Sequence, residues 1–316
     1  MNSRTICAAL VGTTALAFSA QEALADEGGV SFWLPGQYGS FSAVPVEPGW
    51  SLGSVYYHYS GDAGGSREFP LGGEIVLGLD ADADLLFLAP SYTFAGEFWG
   101  KGQLTLAMTA VLGSSDVGVD ATLTEPGGGS VSGSISDSVS GIGDLYPSAT
   151  IRWNDGVHNT MTYAMLGVPV GEYDQDDLAN LGTNHWSIDL GGGYTYLNPD
   201  NGREFSAVLG LTYNFENPDT DYQNGVSAHL DWAASQFLSE TFHVGLVGYF
   251  YEQLSGDSGD GARLGDFKSS VAAAGPEAGW FLREGAWYFN VKAYYEFSAE
   301  RRTEGWSGWL TLAIPL

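Results

Sequence analysis

The sequence contains very little cysteine and few positive charges. Its 316 residues include one cysteine, Cys7, and 11 Lys and Arg against 38 Asp and Glu, giving a formal net charge of −27. Because Cys7 lies in a segment that we expect to be removed on export, disulfides, thiolate metal sites and cysteine catalysis are excluded for the mature chain. Nucleic acid is excluded as a partner, since its binding depends on Lys and Arg that neutralise phosphates.

Long apolar runs are also missing. After residue 25, no run reaches the roughly 18 residues that a membrane-spanning helix needs. Charged residues make up only 16% of the chain, whereas aromatic residues make up 14% and there are 45 glycines. This combination indicates a β-protein whose two sheet faces meet different solvents.

The first 25 residues are typical of a secretory signal peptide. Arg4 is followed by an uncharged apolar stretch over 6–18, and Ala23-Leu24-Ala25 fits the small-x-small cleavage pattern. We therefore predict export, with cleavage before Asp26.

Alternation of apolar and polar residues with a period of two recurs along the rest of the chain. Connections between the alternating segments are short at one end and mostly longer, and rich in Gly, Ser, Asp and Asn, at the other. This rhythm predicts an all-β fold, a transmembrane antiparallel up-and-down β-barrel of about 12 strands (12–14) over 50–316, with short periplasmic turns and long extracellular loops. Pro147 and Pro276 fall inside predicted strands and require bulges or kinks there. The predicted strands are 50–60, 72–95, 102–124, 131–153, 158–170, 185–197, 203–216, 225–236, 241–254, 267–282, 286–299 and 305–316.

The longest alternation is GEIVLGLDADADLLFLAPSYTF, over 73–94. Its odd positions are apolar, and its even positions include Asp80, Asp82 and Asp84. We expect the odd row to face lipid and the even row to face the lumen. The alternative is a hairpin that turns at Asp80–Asp84, which predicts a break in the alternation that the sequence does not have.

Several motifs resemble those of one known family. The family is the outer-membrane barrel family named for the meta-pathway of phenol degradation, and the resemblance covers nearly the whole mature chain in order. It implies an outer-membrane channel of a Gram-negative cell that takes up small hydrophobic or aromatic molecules, surrounded by lipid and lipopolysaccharide and inserted by the barrel-assembly machinery. The motifs are LPGQYGSF (34–41), GDLYP (143–147), VPVGEYD (168–174), YNFENPDTDYQNG (213–225), GYFYEQLSGDSG (248–259) and GPE (275–277).

Seven polar residues in these motifs are candidate site residues. They either line the passage and contact substrate, or form a hydrogen-bonded network that braces the lumen against the loops. We favour bracing, because buried carboxylates need partners. The residues are Asp144, Tyr146, Glu216, Asp221, Tyr222, Glu252 and Glu277.

The stretch over 26–49 lacks strand rhythm and is rich in aromatic residues, glycine and proline. A barrel of twelve strands has an interior wider than side chains of the wall alone can fill. We expect Phe32, Trp33, Tyr38 and Phe41 to fold into the lumen as a plug or lining. A periplasmic tail is the alternative, and the sequence does not decide between them.

Acidic loop residues suggest a calcium site. Carboxylate oxygens suit Ca²⁺, but no complete calcium-binding loop is present, so simple solvated acidity is the favoured interpretation. The candidate ligands are Asp174, Asp176, Asp177, Asp257 and Asp260.

No catalytic constellation is recognisable. The five histidines have no zinc-binding spacing, and there is no G-x-S-x-G motif. We therefore expect no enzyme activity and no cofactor other than possible calcium. The predicted function is passive uptake of small hydrophobic or aromatic molecules, and the alternative is a non-transporting structural or adhesive barrel.

Overall fold

The computed structural model describes residues 31–68, 74–124, 130–262, 268–282 and 287–316. The predicted signal segment 1–25 lies outside these residues. Strands account for most of the described chain, and the described residues include no helix long and apolar enough to cross a membrane. The strands are β1 (Gly49–Glu68), β2 (Glu74–Phe98), β3 (Gly102–Thr124), β4 (Ser130–Asp155), β5 (His158–Gly167), β6 (Ser187–Asn198), β7 (Arg203–Asn214), β8 (Ser227–Ser239), β9 (Phe242–Gln253), β10 (Ser270–Leu282), β11 (Trp287–Glu300) and β12 (Glu304–Pro315).

The twelve strands form a closed barrel. Each strand pairs antiparallel with its neighbours in sequence, and β1 pairs with β12 from Ser51↔Pro315 to Asp62↔Glu304. Closure satisfies the backbone groups of both terminal strands, which hydrocarbon could not do. Leu316 N donates to Trp50 O at 2.9 Å, so both ends of the barrel sequence lie at the same rim. The prediction of an up-and-down barrel of about 12 strands is confirmed.

The outer surface of the barrel carries a belt of large apolar side chains. These side chains alternate with inward-facing residues, as the pleat of a strand requires. Such a belt is the surface that a barrel presents to lipid. Exposed members include Leu106, Met108, Leu166, Leu190, Leu209, Leu211, Leu246, Phe250, Tyr295 and Leu310.

The predicted orientation of β2 is wrong. Leu85 is fully buried and Leu79 is buried, so the odd row faces the barrel interior. Asp80 and Asp82 are exposed on the outer face, and Leu86 continues that same row. The even row changes from acidic to apolar at Leu86. Towards the rim opposite the termini the outer face meets water, and from Leu86 towards the other rim it meets lipid. The strand is continuous through the aspartates, so the hairpin alternative is also wrong.

The expected irregularity near Pro147 occurs three residues earlier. The β3–β4 register shifts between Ala110 and Leu112, opposite Gly143 and Asp144 of β4. This bulge reverses which positions of β4 face inward and leaves Asp144 free of strand pairing. In the β10–β11 pairing, Pro276 has no register partner.

Candidate functional site

The N-terminal segment, residues 31–48, enters the barrel lumen. Phe32 and Trp33 belong to one buried cluster with inward-facing wall residues. Trp33 stacks on His229 of β8 with ring centroids 3.4 Å apart. Phe32 lies 5.6 Å from the ring of Tyr146 on β4. Two of the four named plug residues therefore pack against inward-facing rings of the wall, on β4 and on β8.

Three wall carboxylates bind the backbone N–H groups of the N-terminal segment. Asp231 accepts from Gly36 N and Tyr38 N, each at 3.1 Å. Glu277 accepts from Ser40 N at 3.3 Å and from Ser40 Oγ at 2.7 Å. Glu204 accepts from Phe41 N at 3.0 Å. Ionised acceptors make stronger hydrogen bonds than neutral ones, so these contacts hold the segment firmly.

Two cationic side chains of the wall donate hydrogen bonds to the carbonyls of the same segment. Lys292 Nζ donates to Gly36 O at 2.7 Å and to the next two carbonyls at 3.2 and 3.3 Å. Arg152 Nε donates to Ser42 O at 3.2 Å. Gly36 has φ +89°, and a Cβ there would lie 2.9 Å from the ring of Tyr294. Side chains of the wall thus bind the backbone of the segment, and the close approach of Tyr294 leaves no room for a side chain at Gly36.

The remaining two plug residues also lie among inward-facing rings. Tyr38 is 5.6 Å from Tyr163. Phe41 adopts φ +67° and contacts a group of four rings near the rim that carries the termini. Those rings are Phe237, His243, Phe281 and Tyr288, with centroids 5.0–6.0 Å from Phe41. The described part of the segment does not form a free tail, and whether it obstructs transport stays a prediction.

Asp144 fixes the long β5–β6 loop. Its Oδ1 accepts from Val170 N at 3.0 Å and Gly171 N at 2.8 Å. Its Oδ2 accepts from Thr183 N at 3.0 Å and Thr183 Oγ1 at 2.9 Å. Four hydrogen bonds saturate the carboxylate. The geometry gives Asp144 the bracing role and leaves it no free oxygen lone pair for a substrate.

The other predicted site residues divide into two groups. Tyr146 and Glu277 are buried and face the lumen. Glu252 faces outward and is exposed, because it alternates with the buried Tyr251, so its predicted place in the lumen is wrong. Glu216 and Asp221 are exposed in the β7–β8 loop, outside the lumen.

Tyr222, in the same loop, takes part in a contact between loops. Its hydroxyl donates to Asp257 Oδ2 of the β9–β10 loop at 2.5 Å. Asp257 Oδ1 also accepts from Gly225 N at 3.0 Å and Gln253 Nε2 at 2.6 Å. These bonds tie the two loops together at the rim opposite the termini.

The predicted calcium ligands do not come together. Among the described residues, no three His, Cys, Asp or Glu side chains are grouped so that they could share a metal ion. Asp257 is occupied by the loop contacts, and Asp174 Oδ1 accepts from Asp176 N at 3.0 Å. Calcium binding stays an untested prediction that this geometry does not favour.

A second polar cluster, absent from the sequence predictions, lies at the rim opposite the termini. Glu296 accepts from Tyr249 OH at 2.7 Å, Tyr59 OH at 3.0 Å and Gly305 N at 2.9 Å. Arg302 Nη2 is 3.9 Å from Glu296 Oε1. Tyr249 lies in the motif GYFYEQLSGDSG, but the other residues of this cluster lie in no motif and would have been found only from the choice of the inward row on their strands.

Two histidine contacts resemble parts of a hydrolase site but lack its arrangement. His229 Nε2 lies 2.9 Å from Asp189 Oδ2, and both side chains are fully buried beneath Trp33. Ser187 Oγ lies 3.2 Å from His185 Nδ1 but donates to Asn214 Oδ1 at 2.8 Å, and it is 1% exposed. A nucleophile must be reached by its substrate. Neither contact offers that access.

Comparisons with known proteins agree with the barrel architecture. A sequence model of the family described as MetA-pathway of phenol degradation matches residues 64–312. No curated protein sequence matches the chain. An outer membrane channel from Pseudomonas putida F1 is similar in structure, with 15% identity, a TM-score of 0.67, and 87% of this chain and 98% of that chain covered. At that identity the likeness shows the fold.

Two further solved structures are less similar. The translocator domain of the autotransporter NalP from Neisseria meningitidis has 12% identity and a TM-score of 0.47, covering 87% of this chain and 91% of that chain. The monoaromatic hydrocarbon channel CymD has 7% identity and a TM-score of 0.41, covering 86% of this chain and 89% of that chain.

Proposed function

The chain belongs to the MetA-pathway of phenol degradation family, and from this membership and the lumen geometry we propose that it is an outer-membrane channel for passive uptake of small hydrophobic or aromatic molecules. Its apolar outer belt lies in lipid. Its lumen offers substrates a surface of rings rather than the water-filled bore of a general porin. The lipid, lipopolysaccharide and assembly machinery of the outer membrane are its expected surroundings, and residues 1–25 are its expected export signal.

The buried ring cluster of the lumen is the observation that carries this proposal. Phe32, Trp33, Tyr57, Tyr146 and Tyr163 are among its members, and they come from the N-terminal segment and from three separate strands. Aromatic faces bind flat apolar molecules well, while tyrosine hydroxyls accept or donate a hydrogen bond. A monomeric barrel that only anchored a surface loop would have no need for such a lining.

The N-terminal segment is the gate of the proposed channel. It occupies the lumen, and its backbone is held by side chains of the wall rather than by a continuous β-ladder. Hydrogen bonds to separate side chains can break one at a time, whereas the hydrogen bonds of a β-ladder break cooperatively. Entry of a substrate among the rings of Trp33 and Tyr38 would displace this segment and open the passage.

Uptake by intact cells tests the proposal. A strain that lacks the gene would be given radiolabelled toluene or phenol at low concentration, with and without the wild-type gene restored. Intact cells are required because these molecules cross simple phospholipid bilayers unaided, whereas lipopolysaccharide slows them. We expect faster entry in the restored strain, unchanged by an uncoupler of the proton gradient. Equal entry for every compound tried would contradict the proposal.

A non-transporting barrel is the second candidate, and the filled lumen favours it. Buried hydrogen bonds between the segment and the wall would then be purely stabilising, and the segment would never leave. Recording of the wild-type protein in planar bilayers separates the two roles. A transporter should show openings when the segment leaves the lumen, whereas a trace without openings would favour the structural role.

A further inference from the structure

The first four strands extend far beyond the rest of the barrel. β1 to β4 have 20, 25, 23 and 26 residues, whereas β5 to β12 have 10 to 14. At about 3.3 Å per residue, ten extra residues extend a strand by roughly 33 Å. The extension stands at the rim opposite the termini. We call the part formed by 59–68, 74–85, 113–124 and 130–141 the tall wall.

The outer face of the tall wall is polar. Asp80 and Asp82 of β2 are exposed there, with Asp116 and Asp120 of β3 beside them. On β4 the outward positions are serines, including Ser134 and Ser136. The outer face of the tall wall, which meets only water, therefore carries carboxylates and hydroxyls.

The inner face of the same strands carries an apolar patch. Val119 pairs with Ile135, and Leu123 pairs with Val131, so these four side chains form one patch on β3 and β4. Leu123, Val131 and Ile135 are 44%, 69% and 71% exposed. The outer face of the same strands is polar at this height. Strand propensity alone therefore does not explain the apolar residues of the inner face. Exposed apolar patches mark binding surfaces when they are contiguous.

This apolar patch is continuous with the lumen. Below it, Val119 packs against the buried cluster of Leu79, Val117 and Ala179. Further down the same faces, Leu85 and Val111 belong to the ring cluster that contains Phe32 and Trp33. The apolar surface thus runs about 40 Å along β3, from Leu123 to Val111, at about 3.3 Å per residue.

We propose that the inner face of the tall wall is a capture site for uncharged hydrophobic molecules of aromatic size, which then move along it into the lumen. The inference rests on the proposed uptake function. The face continues along the inner side of the barrel to the ring cluster, so it suits a small apolar molecule. A protein partner would instead meet the acidic outer face first.

A loop contact interrupts this path. Asp137, on the inner face of β4, accepts from Leu178 N and Ala179 N, each at 3.1 Å. Ala179 is thereby held over Leu79 and Val117. A molecule that moves down the path must displace this part of the β5–β6 loop, so capture precedes entry and the two steps can be measured separately.

Glutamate substitutions on opposite faces at one height test the capture site. The test variant is Val131→Glu with Ile135→Glu, and the matched control is Ser134→Glu with Ser136→Glu, which adds the same charge outside. Radiolabelled toluene uptake by intact cells gives the half-saturating concentration and the maximal rate. We expect the test variant to raise the half-saturating concentration roughly fivefold, since it removes several tens of Å² of apolar contact, at nearly unchanged maximal rate.

Equal half-saturating concentrations in the test variant and the control would overturn the capture site. An absence of uptake by the wild-type protein would instead contradict the proposed function, so the two failures are distinguishable. Assembly of each variant is checked by its heat-modifiable mobility on a gel. Val131→Ser with Ile135→Ser, which removes the apolar surface without adding charge, must shift uptake in the same direction and provides the test if the glutamate variant does not assemble.

Discussion

Replacing Asp231 by asparagine is expected to release the N-terminal segment from the wall. The Asp231 carboxylate accepts two backbone N–H groups, one on each oxygen, at 3.1 Å. Asparagine keeps one carbonyl oxygen but turns an amide NH₂ towards the second N–H group. The variant therefore loses one hydrogen bond and weakens the other, because the acceptor is no longer charged. It also places the NH₂ group of the asparagine against a backbone N–H group, so that two donors face each other.

The size of this effect follows from the strength of such bonds. A hydrogen bond to a charged group contributes about 1.5–3 kcal/mol, against about 0.5–1.5 kcal/mol for a neutral one. Loss of one charged bond and weakening of the other together destabilise the inserted segment by roughly 2–4 kcal/mol. Since about 1.4 kcal/mol is a factor of ten, the displaced population should rise on the order of 30- to 1,000-fold.

Single-channel recording in planar bilayers measures this population directly. Asp231→Asn should show frequent long openings where the wild-type protein shows rare ones. Asp200→Asn, at an exposed turn, removes the same charge without touching the segment and should behave as wild type. If Asp231→Asn assembled normally and opened no more often than this control, the segment would not be the gate and the reasoning would be refuted.

Three further substitutions test other parts of the structure. Asp144→Asn removes the charge from four accepted hydrogen bonds and should loosen the β5–β6 loop, raising its proteolysis roughly tenfold or more; equal cleavage rates would show that the carboxylate is not the anchor. Gly36→Ala forces a side chain into φ +89° against Tyr294 and should raise channel opening, at a cost of about 1 kcal/mol or more; unaltered recordings would count against the tight fit. The N–H groups of the loop, led by that of Ala179, lower the pKa of Asp137. This carboxylate therefore stabilises loop attachment above its unfolded-state pKa, and the contribution is lost as pH falls through the lower folded-state pKa, below about 4. A spin label on Asp177→Cys should become mobile in that acidic range, and should already be mobile at neutral pH when Asp137→Asn is added; a label insensitive to both changes would exclude this anchor.

The barrel was predictable because its signal is local. A period of two shows in any stretch of ten residues, and the turns are marked by their composition. β3 was predicted over 102–124 and spans Gly102–Thr124. Strand ends elsewhere shift by a few residues where loops continue the alternation, as at residues 168–170, which were assigned to β5 but belong to the following loop.

The direction of each face was harder to predict. Alternation distinguishes two rows but does not say which row faces inward once a strand leaves the bilayer. On β2 the apolar row was assigned to lipid, although only Leu86 and the even residues after it reach lipid. The informative signal was the change within the even row, from Asp84 to Leu86, which marks the boundary between water and hydrocarbon.

The residues that hold the segment were only partly predictable from one sequence: Glu277 lies in the GPE motif and was a candidate site residue, whereas Asp231 and Glu204 lie in no motif. Asp231 and Gly36 are separated by 195 positions, and no short motif connects them. Asp144, by contrast, lies in GDLYP, and bracing was the favoured interpretation for it. Glu252 lies in a motif too, yet it faces outward, so presence in a motif does not by itself place a side chain in the lumen.

A disulfide between the segment and the wall would test the central claim most directly. Ser40 Oγ and Ser235 Oγ are 3.1 Å apart, close enough for a disulfide after replacement of both by cysteine. The predicted mature chain has no other cysteine, so no competing pair can form. In the oxidised variant we expect uptake of radiolabelled toluene by intact cells to fall to that of the strain without the gene, and a membrane-permeable reductant to restore it. Uptake by the fully oxidised variant at the wild-type rate would contradict a lumen gated by residues 31–48.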